Sequence, residues 1–220
     1  LGRNSSLNVA MVQRLAELSS RRETLAVERE SATSALALID TGLTLPRDMN
    51  DMSKSVLDLR DEADVEIDQI VEQVNTDLQR VVKLNQAIVN ATNIGLEDGD
   101  LRDSRDQALK RIGQAINIKI FERDTGEVVV FTGDAKILVD GDAASIDYEA
   151  SSSGQLDMPF QTISIDGQSI QSEIRDGKLK GLLEVRDKVL PNLHSELDAL
   201  AAKTRDISNL THNRGMGFPA

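Results

Sequence analysis

An apolar residue recurs every eleven positions through the middle of the chain: Val56, Ile67 and Leu78 form one series, and Leu59, Ile70 and Val81 another. Eleven residues over three turns is 3.67 per turn, close to the 3.6 of an α-helix, so the stripe stays on one side of a nearly straight helix. Ala63, Val74 and Ile88 fall on the same side, which predicts a helix over about Asp51 to Thr92. At ~1.5 Å per residue such a helix is on the order of 60 Å long. Compact enzymes seldom use one, and its apolar side has to be covered by other long elements.

Two further stretches have helical spacing. Met11, Leu18, Leu25, Ala32 and Ile39 lie seven apart and predict an amphipathic helix from Leu7 to Ile39, which Gly42 ends and Pro46 follows in a connection. Near the C-terminus Leu183, Leu190 and Leu197 repeat at seven, as do Leu193, Leu200 and Ile207. Pro191 interrupts that last helix, by a kink or by a break near Lys188. A shorter helix follows the GLEDGD loop, with Asp100 as its expected N-cap and Asp103 in the first turn. Between the short helix and the last one the pattern changes to alternation rich in Ile and Val, with turns at Asp124-Thr125-Gly126 and Gly133-Asp134. The fold class expected is α+β, an elongated antiparallel bundle of long helices with a small antiparallel β unit inserted before the last helix. The divisions are 1–115 for the first part of the helical rod, 116–176 for the β-rich unit, 177–211 for the returning helix and 212–220 for a loose tail.

Among 220 residues, 25 Lys and Arg stand against 37 Asp and Glu, a net charge of −12. That balance repels phosphate backbones and anionic lipid surfaces, so neither nucleic acid nor membrane is an expected partner. One Tyr, four Phe and no Trp leave few rings to line a ligand pocket. Without cysteine there is no disulfide, thiolate metal site or cysteine nucleophile. Acidic clusters at Asp98, Asp100, Asp103 and Asp106, and at Asp140, Asp142 and Asp147, invite a metal reading. A calcium loop beginning at Asp98 would need an oxygen ligand at its fifth position, Gly at its sixth and Glu at its twelfth, where Arg102, Asp103 and Leu109 stand. Helix capping and solvated turns account for these carboxylates better. His194 and His212 lack the spacing of a zinc site, and no phosphate-cradling or nucleophile-elbow motif is present. No catalytic residue, metal ligand or cofactor-binding residue is assigned, and structural or interaction work is expected.

Three motifs, in this order along the chain, resemble the flagellar hook-associated protein 1 family, FlgK. The first runs through Val74, Asn75, Leu84, Asn85 and Ile88. A second, DLRDSRD, comprises Asp100, Leu101, Asp103, Arg105 and Asp106 and opens the short helix. The third, GKLKGLLEVRDKVLPNLHSELDALA, includes Gly181, Leu182, Arg186, Asp187 and Pro191. The resemblance covers about Leu57 to Ala201. It implies a structural, non-enzymatic and cofactor-free component of the bacterial flagellum at the junction of hook and filament, exported through the flagellar secretion channel to the cell exterior. The partners implied are copies of itself, the hook protein and the next junction or filament protein. It also implies that the terminal segments that drive assembly lie outside this sequence, so the fragment alone is expected to be monomeric. The residues themselves leave a second reading open, a surface adhesin or secretion-apparatus tip protein built on a helical rod. For Arg102-Asp103 and Arg105-Asp106 the expectation is intrachain ion pairs that clamp the short helix.

Overall fold

A computed structural model describes residues 32–151 and 160–215. Most of the predicted first helix, residues 7–31, lies outside the described residues. The rest is continuous with the second: α1 runs unbroken from Ala32 to Asn93. The expected stop at Gly42 and connection at Pro46 are thus corrected. Pro46 has no N–H for the carbonyl four residues back, which belongs to Gly42, and a proline inside a helix costs ~3 kcal/mol. Ending α1 there and nucleating a second helix would forfeit several bonds instead of one, and propagation is the cheaper course.

The C-terminus of α1 is closed by a glycine in the left-handed region. Gly95 has φ +69°, its N–H bonds to the carbonyl of Thr92, and the Leu96 N–H reaches back to Ala91 at 2.9 Å. This double bond is the Schellman arrangement, for which glycine is the favoured residue. Helix α2 (Gly99–Ala115) follows, with Asp98 rather than Asp100 at the N-cap position.

Four strands, β1 (Ile118–Glu122), β2 (Val128–Thr132), β3 (Ile137–Asp140) and β4 (Asp142–Ala143), form an antiparallel sheet in chain order. A second antiparallel sheet joins β5 (Ile146–Asp147), β6 (Ser164–Ile165) and β7 (Gln168–Ser169). The predicted turn at Asp124-Thr125-Gly126 separates β1 from β2, with Gly126 at φ +84°. Between β6 and β7 the turn residues Asp166 and Gly167 both have positive φ, the backbone of a tight two-residue hairpin whose twist matches its strands.

Helix α3 (Gly177–Glu184) begins at Gly177, where a Cβ would lie 2.5 Å from the Ala115 carbonyl oxygen. Only glycine lets α3 start this close to the end of α2. The helical path then widens into a π segment, Val185–Val189, before α4 (Leu190–Gly215). There is no break near Lys188. The N–H of Leu190 bonds to the carbonyl of Val185, five residues back, and this wider turn makes room for the ring of Pro191, which has no N–H to give. Helix α4 continues to Gly215, so residues 212–215, expected in the loose tail, are helical.

The chain divides into two compact units, one comprising the described residues up to Val56 with those from Asn192 onward, the other Leu57–Pro191. In the first, Met49, Met52 and Val56 of α1 and Leu197 of α4 are buried, and Ser53 Oγ lies 2.7 Å from His194 Nε2. The second has a continuous core. Ile67, Val74, Leu78 and Val81 of α1 meet Ala108 and Ile112 of α2, Leu179 of α3 and the inner residues of both sheets, Val130 and Ile146 among them. The eleven-residue series behaves as predicted at Val56, Ile67, Leu78 and Val81, while Leu59 and Ile70 are half-buried.

Candidate functional site

Four polar residues, Arg60, Asp64, Asp77 and Asn85, sit on the buried stripe of α1. A buried polar group is costly unless hydrogen-bonded, and each of these has partners. Asn85 holds both backbone groups of Val128, donating from Nδ2 to the carbonyl at 2.7 Å and accepting the N–H at Oδ1 at 3.1 Å. Half-buried Asn75 does the same to Ile146, at 2.8 and 2.9 Å. An amide side chain reproduces the donor and acceptor of a peptide group, so α1 grips the first residue of β2 and the first residue of β5 as a neighbouring strand would. Asp77 receives a two-pronged Arg111 from α2, Nη2 to Oδ1 at 2.5 Å and Nε to Oδ2 at 2.9 Å, the geometry in which guanidinium and carboxylate bind best.

Arg105 of α2 is almost fully buried and joins the Asn85 grip. Its Nη1 donates to Asn85 Oδ1 at 3.2 Å and to the Gly126 carbonyl at 2.6 Å, and Nη2 donates to Glu122 at 3.3 Å. Arg102 bonds Asp98 and Glu122, and its hydrogen bond to Asp98, opposed by slight desolvation, holds that carboxyl below the ordinary aspartate range. The short helix is therefore clamped by its arginines, but to Glu122, Gly126 and Asn85 instead of the adjacent aspartates. Neighbours i and i+1 diverge on a helix, and Asp103 and Asp106 are exposed. Replacing Arg105 with Ala is expected to lower the melting temperature, and replacing Asp106 to leave it within error; equal effects would restore the sequential pairing.

The densest cluster surrounds Arg186 in the π segment. Arg186 and Asp64 are each 1% exposed, with Nη1 to Oδ1 at 2.7 Å. Tyr148 donates its hydroxyl to Asp64 Oδ1 and accepts from Arg186 Nη1, and Ser151 donates its N–H to Asp64 Oδ2 at 2.8 Å. The other edge of the guanidinium engages Asp187 at 2.7 and 3.0 Å. Arg60 donates to the Arg186 carbonyl at 3.1 Å, and the Phe160 ring lies within 4.6 Å of the Arg60 guanidinium and 4.5 Å of that of Arg186, a cation–π arrangement on both.

Burial, reinforced by the hydrogen bond to Asp64, pushes the Tyr148 phenol above its ordinary range. A raised folded-state pKa stabilises the fold fully below about pH 10, and the contribution is lost as pH rises past that value. Tyr148 is the only tyrosine, and there is no tryptophan, so phenolate absorbance reports it alone. Titration of the folded chain should show its ionisation well above the midpoint near pH 10 found in urea; coincident midpoints would mean that the cluster is open.

Of the other residues in the three motifs, Leu84, Leu101, Leu182 and Pro191 are half-buried, Leu182 against the core, while Asp100 and Gly181 are exposed. Asn75, Asn85, Arg105 and Arg186 are brought onto buried or half-buried contacts, but not into one site. Sequence reasoning missed Arg60, Asp64, Asp77, Arg111, Tyr148 and Phe160. Polar residues in step with an apolar stripe were the available signal for the three on α1. Among the described residues no group of three or more His, Asp or Glu is placed to hold a metal ion, and no helix is long and apolar enough to cross a membrane.

The family described as flagellar hook-associated protein FlgK helical domain matches residues 5–219. Flagellar hook-associated protein 1 of Escherichia coli is 23% identical over 219 residues, 96% of this chain and 40% of the relative. Its counterpart in Bacillus subtilis is 24% identical over 240 residues, 98% of this chain and 46% of the relative. The chain thus spans less than half of the length of these relatives. The flagellar hook junction protein FlgK from Burkholderia pseudomallei has the same fold, with a TM-score of 0.62 at 20% identity over 89% of this chain and 35% of that one. Motif order, architecture and the family match agree, and the chain belongs to the FlgK helical-domain family of flagellar hook-associated proteins.

Proposed function

We propose that this chain is part of a hook–filament junction protein and works there as a structural element, not as an enzyme. Family membership over nearly the whole chain is the observation that carries this reading. The motif residues support it. Asn75, Asn85, Arg105 and Arg186 spend their polar groups on the chain's own backbone and side chains, the use expected of residues that stiffen a load-bearing domain. Half-buried Leu84, Leu101, Leu182 and Pro191 shape the packing, Asp187 is held by Arg186, and Gly181, Asp100, Asp103 and Asp106 lie on the surface. The partners are further copies of this chain, the hook protein on one side and the next junction or filament protein on the other, in the flagellum outside the cell after export through the flagellar channel. The adhesin or secretion-tip reading loses its ground with family membership.

Deletion of the parent gene in its own bacterium tests this. Electron microscopy should find hooks without filaments, with flagellin shed into the medium. Normal filaments and normal swimming would refute the junction role.

A further inference from the structure

The outer face of the four-stranded sheet is apolar where an antiparallel sheet ordinarily shows polar side chains. Val128, Val130, Leu138 and Val139 belong to the core. On the opposite face the register aligns Lys119, Phe131 and Ile137 across three strands, and Phe121 with Val129 in the next row. Phe121 is 60% exposed and Ile137 50%. Of the five aromatic residues in the chain, exposed Phe121 and half-buried Phe131 share this face with buried Val129. Aromatic side chains on such a face are typical anchors of protein–protein contacts.

A second patch lies at the α1–α2 connection. Ile94 is 70% exposed and Leu96 63%. In a Schellman ending the residue in the place of Leu96 commonly packs back on the helix; here it is turned outward, on a backbone fixed by two hydrogen bonds. Exposed Glu97, Asp100, Asp103 and Asp106 follow it. The two patches are both apolar but opposite in their unpaired charge, since Lys119 is exposed beside the phenylalanines. Neither suits a copy of itself.

We propose that the phenylalanine face of one copy receives the Ile94–Leu96 corner and acidic first turns of α2 of a second copy. This rests on the structural reading above and gives its self-contact a location. Two different patches make a heterologous contact, which repeats from copy to copy instead of closing as a dimer. Because it buries two small patches, it is weak between free chains and is strengthened when many copies are aligned.

The absence of cysteine allows a direct test by single introduced thiols. Asp134→Cys marks the sheet turn beside Ile137, Glu97→Cys marks the corner, and Lys178→Cys on α3 serves as a control. Under mild oxidation at high concentration, D134C mixed with E97C should form heterodimers about tenfold more readily than K178C mixed with E97C, as expected of an anchored contact. A chain carrying both D134C and E97C should give a ladder of oligomers. Phe121→Ser with Ile137→Ser should abolish the ladder without changing the melt, and Lys119→Glu should weaken it. Cross-linking no better than the control, or D134C homodimers as abundant as the heterodimer, would overturn the proposal. Bare hooks on gene deletion together with no ladder would leave the junction role standing and remove this contact alone.

Discussion

Arg186→Met should destabilise the unit Leu57–Pro191 by about 3–5 kcal/mol, because it leaves the Asp64 carboxylate buried without its counter-ion. In a unit of this size that corresponds to a fall of roughly 10–20 °C in melting temperature. The guanidinium is the centre to which Asp64, Tyr148, Phe160 and Asp187 are all joined. Its loss also removes the cation whose charge and hydrogen bond hold the Tyr148 phenol down while Asp64 still holds it up, so Tyr148 in the folded variant should ionise at a still higher pH than in the parent. Combining Arg186→Met with Asp64→Leu should recover most of the loss, since an apolar pair of similar volume pays neither desolvation penalty. A single variant that melts within about 1 kcal/mol of the parent would show that water reaches Asp64 and that the pair is of the weak, exposed kind.

The second large effect is expected at Asn85. Asn85→Ala takes the partners from both backbone groups of Val128 and one from Arg105, all in the interior. An unsatisfied buried group costs about 1–3 kcal/mol, so a combined loss of about 3 kcal/mol is expected after partial rearrangement. Asn75→Ala removes an equivalent grip on Ile146, but Asn75 is half-buried. Water can replace it there, and the loss should be about 1 kcal/mol. Urea unfolding at constant m would separate the two variants. If Asn75→Ala costs as much as Asn85→Ala, solvent does not reach the Ile146 end and burial is not what ranks the two grips.

The long helix was legible because its eleven-residue period leaves a single stripe, and the buried Val56, Ile67 and Leu78 follow it. Its N-terminal extent was not. Gly42 and Pro46 are local stop signals, and the cooperativity that overrides them belongs to the whole helix. The α+β class was visible in the change of period after Ile116, and the Asp124-Thr125-Gly126 turn lay where its residues predicted. Strand length was less visible. FQTISIDGQSI continues the strand pattern, yet only two short strands form, about the Asp166-Gly167 turn.

The motif positions were legible, but their partners were not. Asn85 meets Val128 across 43 residues and Arg186 meets Asp64 across 122, so no window of the sequence contains either contact. Arg60 and Asp64 resemble the many exposed charges around them until the stripe is laid over them. Pro191 signalled an irregular helix. The form it took is a widened turn, Val185–Val189, that contains the buried Arg186.

The grips of Asn75 and Asn85 also bear on what the sheets can recruit. A strand with unpaired backbone groups is a template on which a foreign strand can grow. At Val128 and at Ile146 the N–H and the carbonyl are both occupied by an amide lent by a helix. A stray peptide arriving at either residue finds no free donor and acceptor to copy, so these two ladders stop where α1 crosses them without the addition of another strand.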